Sequence, residues 1–125
     1  MKVHLWIGMM LAMAPLAAAE AMPVSTFLAK ADALKSKGAL ALFSGDLKFL
    51  TSQLKSDAAS LKAENLAAVA AGRPKNYCAP AGGIKLKNDE VVAAMQTVPV
   101  AQRATTDTRD ALRAYFARRF PCRAS

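Results

Sequence analysis

A chain of 125 residues, 54 % apolar and 21 % charged, is long enough for one ordinary domain and too short for two. Its 17 Lys+Arg against 9 Asp+Glu give a formal net charge of +8, which favours acidic partners and bears on solubility and encounter rather than on fold. With one histidine and two cysteines in the whole chain, the catalytic and metal chemistries open to it are few.

Met1-Lys2-Val3-His4 is a short positive start, Leu5 to Leu16 is an apolar run, and small residues follow. This is the three-part pattern of a secretory signal peptide. Ala17-Ala18-Ala19 before Glu20 and Ala19-Glu20-Ala21 before Met22 are competing A-x-A sites. The expectation is a signal over residues 1–19 cleaved after Ala19, with cleavage after Ala21 as the alternative. The apolar run falls well short of the roughly 20 residues that span a bilayer. Export implies a periplasmic or secreted location. It also removes His4 and Trp6, the single histidine and the single tryptophan. Ser-His-Asp and Cys-His mechanisms and imidazole-based zinc sites are thereby excluded, and two cysteines cannot build a four-thiolate zinc site. No cofactor, no metal and no catalysis are expected. Nucleic acid is not an expected partner either, since no recognition motif or aromatic stacking platform accompanies the basic charge.

Disulfides persist in oxidising compartments, so Cys78 and Cys122 are expected to be bonded, with no spare thiol. Closing a loop of that length restricts the unfolded chain by about 4 kcal/mol in the chain-entropy treatment. Around this staple the expected fold class is all-α, a small bundle of about four helices forming a single helical domain over residues 24–123.

From Val24 the spacing of Phe27, Leu28, Ala31 and Leu34 predicts a first helix of about three turns, capped by Ser25 or Thr26 and closed by Gly38. Ala39 to Phe43 is a short apolar segment, either a helical turn or a connector packed on the core. Ser44-Gly45-Asp46 suits the start of the longest helix, from about Asp46 to Ala71, with Leu47, Leu50, Leu54, Ala58, Leu61 and Ala68 along one side. Lys48, Lys55 and Lys62 recur every seven residues on one exposed face, either a solvated flank or a cationic docking stripe.

Gly72-Arg73-Pro74 ends that helix, and Lys75 to Gly83 has the composition of an irregular loop. Ile84-Lys85-Leu86-Lys87 alternates apolar and basic residues over too short a run to establish a strand. Asn88 is the expected cap of a third helix, with Asp89 and Glu90 in its first turn and Val91, Val92 and Met95 on its core face. Adjacent acids point to different sides of a helix, so Asp89 and Glu90 fit helix-start electrostatics better than acid–base catalysis. Val98 to Arg103 is a proline-broken connector, and Thr105-Thr106-Asp107 offers a cap for a last helix over about 107–120. Arg109, Arg113, Arg118, Arg119 and Arg123 crowd this terminal segment. Cations near a helix C-terminus complement its dipole, which accounts for Arg118 and Arg119, and the remainder make the five together the candidate partner-binding residues.

Tyr77-Cys78-x-Pro80, a helix carrying Val91-Val92, a proline-containing connector and a helix ending Phe120-Pro121-Cys122 resemble the Rap/Tai family of type VI secretion immunity proteins. The resemblance covers residues 77–123; upstream, Phe27-Leu28 resembles an early family feature. Members often carry another cysteine pair in the N-terminal half, where this chain has alanines such as Ala31 and Ala41. The resemblance implies a periplasmic, mainly helical binding protein that neutralises a secreted effector by steric occlusion, without chemistry of its own. Two alternatives come from other classes. An envelope-stress protein resembling small disulfide-bonded acid chaperones would bind many unfolded clients loosely. A protein of the anionic membrane surface would use the lysine stripe and bind vesicles in a salt-sensitive manner.

Overall fold

Helix formers dominate the chain beyond Val24, and the computed structural model, which describes residues 21–123, folds them into four α-helices joined by two 3₁₀ helices and stapled by one disulfide. The expected signal peptide, its cleavage point after Ala19, His4 and Trp6 lie outside the described residues.

Helix α1 (Val24–Lys37) buries Val24, Phe27 and Leu34. Neither Ser25 nor Thr26 caps it, because the helix starts earlier, after Pro23, and its first amides find partners elsewhere. Val24 N–H donates to the Thr106 carbonyl (2.9 Å) and Ser25 N–H to that of Arg103 (3.0 Å), while Thr108 N–H donates back to the Met22 carbonyl (2.8 Å). A distant backbone thus satisfies the orphan donors that a side chain was expected to take. Gly38, at φ 57°, turns the chain out of the helix.

The apolar run that follows is a 3₁₀ helix (Gly38–Phe43) in which no residue is buried. Helix α2 (Gly45–Ala70) then begins with Ser44 Oγ accepting from Asp46 N–H (3.2 Å) and Asp46 in its first turn. Its 26 residues run about 39 Å. The buried face is Leu50, Gln53, Asp57, Leu61, Asn65 and Ala68. Leu47, Leu54 and Ala58, expected on that face, are only half-buried at its edge.

Residues 71–87 lack regular structure; Ile84 and Leu86 lean on the core and Lys85 and Lys87 face out, as their alternation suggests. Helix α3 (Asn88–Gln96) is preceded by Lys87 in the cap position, with Asn88 already helical. Glu90 Oε2 accepts the Lys87 backbone N–H at 3.4 Å, so the acid three residues on closes the helix start. Helix α3 buries Val91, Ala94 and Met95. A 3₁₀ turn (Val100–Gln102) leads to helix α4 (Thr108–Arg119), where Asp107 Oδ1 caps Asp110 N–H at 2.9 Å.

Helix α2 packs chiefly on α4, α3 packs on α4 and α1, and α1 also contacts α2 and α4. The core joins Phe27, Leu50, Leu61, Met95, Leu112 and Phe116, with Tyr77 entering from the loop. Cys78 and Cys122 are bonded, their Cα atoms 4.9 Å apart, and Cys78 N–H donates to the Phe120 carbonyl (2.8 Å). A bonded pair suits an oxidising compartment. Among the described residues no helix is long and apolar enough to cross a membrane.

Candidate functional site

The five arginines of the terminal segment fall into two groups. Arg109 and Arg113 face α2 and hold it. Asp57, 1 % exposed, accepts from Thr108 Oγ1 (2.6 Å) and Gln53 Nε2 (3.1 Å), and Arg109 Nε lies 3.8 Å from its Oδ1. That Arg109 nitrogen is buried and makes no hydrogen bond, so its contact with Asp57 is electrostatic. Arg113 grips Glu64 with two bonds, Nε to Oε2 (2.9 Å) and Nη2 to Oε1 (2.7 Å), and also bonds Asp110. The hydrogen bond from Arg113 holds the Glu64 carboxyl below its ordinary range, and the same bond raises the guanidinium.

Arg118, Arg119 and Arg123 are exposed. Arg118 Nη2 reaches Thr97 Oγ1 at 3.3 Å, tying the end of α4 to that of α3, and the Arg119 guanidinium lies 5.8 Å from the Phe120 ring centre. The arginine cluster read in the sequence is therefore divided between a helix clamp and a loose cationic end beside the disulfide.

A second locus is built by α2 and the stapled loop. Asn65, on the buried face of α2, donates Nδ2 to the Tyr77 carbonyl (3.0 Å) and accepts Asn76 N–H on Oδ1 (3.0 Å). One amide thus fixes two successive loop residues. Tyr77 is thereby set against Phe116, ring centres 5.1 Å apart, with Phe120 a further 6.0 Å beyond Phe116. Burial, with the nearby Glu64 charge, pushes the Tyr77 phenol above its ordinary range.

Held this way, the loop stands off α2 and leaves a groove of about 700 Å³. Its apolar lining comes from Leu54, Tyr77, Ile84, Leu86, Val91, Leu112 and Phe116, and Lys55, Lys62 and Lys75 edge it. No acidic side chain lines it. Two of the three lysines in the seven-residue stripe on α2 therefore flank a concavity, while Lys48 sits apart near the start of the helix. The lining runs from Thr51 to Leu66, about 22 Å along α2, the span of an extended segment of roughly six residues. Such a surface suits apolar side chains on a stretch whose flanking groups are negative.

Among the described residues no group of three or more His, Cys, Asp or Glu side chains is placed to hold a metal ion. Asp89 and Glu90 remain at the start of α3, where Glu90 closes the cap. Asn65 and Asp57 were not singled out in the sequence, although a polar residue on an otherwise apolar helical stripe is the signal that would have found them.

Comparison with models of known protein families, with characterised proteins and with solved structures returned no match. The likeness of residues 77–123 to the immunity proteins thus rests on the residues quoted for it.

Proposed function

We propose that the chain is an exported, non-catalytic binding protein that takes an acidic segment of a protein partner into the groove between α2 and the stapled loop. The observation that carries this reading is the groove's charge: three lysines and no acid around an apolar floor. A partner segment would lay apolar side chains against Tyr77, Leu112 and Phe116 and meet Lys55, Lys62 and Lys75 with its carboxylates. The resemblance over residues 77–123 supplies the specific form, an immunity-type protein of the periplasm that neutralises a secreted effector by occluding it. The exposed arginines Arg118, Arg119 and Arg123 lie outside the groove lining and serve the encounter rather than the seat.

The test is affinity capture from an extract of the organism's own envelope and secreted proteins, with the purified, oxidised chain as bait at low and moderate salt. Lys55→Gln/Lys62→Gln/Lys75→Gln serves as second bait; all three side chains are exposed, so the fold is retained. One acidic partner that survives moderate salt and is lost from the triple variant supports the proposal. A broad, loosely held set of clients overturns it in favour of the chaperone-like reading.

A further inference from the structure

The six residues Gly38–Phe43 are the most apolar stretch between α1 and α2, and none of them is buried. Leu40 is 72 % exposed, Leu42 74 % and Phe43 89 %, with Phe49 on the first turns of α2 at 51 %. Single exposed apolar residues are ordinary, but four large ones gathered on one corner mark an interaction surface. The corner touches only α1 and α2, the helices it joins, and none of its residues lines the groove.

Lysines flank it in sequence on both sides, and the acid closest to it is paired. Lys35 and Lys37 end α1 and Lys48 follows on α2, all exposed, and from Ala33 to Gly45 there is no acid. Asp46, the first acid beyond, is held by Lys30 (3.4 Å), whose ammonium also lies 5.6 Å from the Phe49 ring centre. Apolar tips flanked by lysines, whose stems lie along apolar surface while their heads stay with water and phosphate, are what an interfacial segment needs.

We infer that this corner rests on an anionic lipid surface, with Leu40, Leu42 and Phe43 entering the headgroup–acyl boundary and Lys35, Lys37 and Lys48 meeting lipid phosphates. The inference is independent of the groove. A second copy of the chain is the poorer occupant, because a two-fold contact would set these lysines against their own counterparts. A protein partner is poorer as well. Side chains this exposed frame no concavity for shape-matched packing, which a fluid acyl layer does not require. The chain would lie on the bilayer, since no described helix is suited to span it.

Flotation of the purified, oxidised chain with vesicles tests this, comparing pure phosphatidylcholine with mixtures containing phosphatidylglycerol. The wild type should bind the anionic vesicles and not the neutral ones. Leu42→Ser/Phe43→Ser should lose binding at least tenfold, on the order expected from withdrawing two large apolar side chains from the interface. Lys37→Gln/Lys48→Gln should lose about fivefold per lysine at low salt and converge on the wild type as salt is raised. All four side chains are exposed, so each variant should keep its helical circular-dichroism melt. The groove variant Lys55→Gln/Lys62→Gln/Lys75→Gln should keep most of its vesicle binding. Absent wild-type binding, binding insensitive to Leu42→Ser/Phe43→Ser, or a self-association in solution that this variant abolishes would each overturn the inference.

Discussion

Residues 71–87 and residues 38–43 both lie outside the α-helices, yet they are held in opposite ways. Asn65 bonds two residues of the first, the disulfide joins it to the end of α4, and Cys78 donates to the Phe120 carbonyl. The second buries no side chain and touches only its neighbouring helices. Composition alone suggests the reverse, since the Pro/Gly-rich loop has the look of free chain and Ala-Leu-Ala-Leu-Phe that of core. Anchoring is decided by whether distant groups supply partners, and here the polar loop has them. The consequence is a rigid wall for the groove and an apolar corner left in water.

Breaking the staple should produce the largest effect. Cys78→Ser/Cys122→Ser should lower stability by about 4 kcal/mol in guanidinium denaturation, the magnitude expected when a loop of this length is released. A smaller loss would mean that Asn65 and the aromatic stack hold the loop unaided.

Next is the α2–α4 clamp. Asp57→Ala leaves the Thr108 hydroxyl and the Gln53 amide without their shared acceptor and the part-buried Arg109 guanidinium without its counter-charge, and should cost about 3 kcal/mol. Thermal melts of Asp57→Ala and Thr108→Val read this directly. Unchanged melts in both would show that the helices are held by apolar packing alone.

The Glu64–Arg113 pair is a weaker tie because both side chains remain about one-third exposed. The folded state holds the Glu64 carboxyl below its unfolded range, so the pair's contribution is full above that range and is lost as pH falls through the lowered value. Its size should be about 0.5–1 kcal/mol, and Glu64→Gln should remove this part of the acid dependence while leaving stability near neutral pH reduced by that amount. An identical pH–stability curve in Glu64→Gln would contradict the pairing.

The corner stands at the other end of the scale. Leu42→Ser/Phe43→Ser should change stability by no more than about 0.5 kcal/mol, because neither side chain packs on the core. A loss comparable to that of Asp57→Ala would mean that the corner folds onto the bundle, and the contrast between the two connections would disappear.

Much of the fold is legible in the residues themselves. Ser44 and Asp107 cap where their positions suggest, Gly38 and Gly72 end helices, and the cysteine pair closes as the compartment argument expects. What escapes local reading depends on partners far away in the chain. The start of α1 is fixed by carbonyls of Arg103 and Thr106, so capping preferences at Ser25 and Thr26 do not decide it. The buried face of α2 includes Gln53, Asp57 and Asn65, and a pattern of apolar residues alone places that face slightly off, toward Leu54 and Ala58. The lysine spacing on α2 was visible, but the apolar floor beside it comes from the loop, α3 and α4 and has no local signature. Arginine clustering was equally visible; that Arg109 and Arg113 turn inward follows from acids 52 and 49 residues away.

The most direct test of the groove as the seat of the partner is amide hydrogen exchange on the oxidised chain, free and bound to the protein it captures. Protection should rise over residues 51–66 of α2 and 75–88 of the stapled loop and the start of α3. Protection confined to the arginine end at 118–123 or to the corner at 38–43, with the groove amides unchanged, would contradict it.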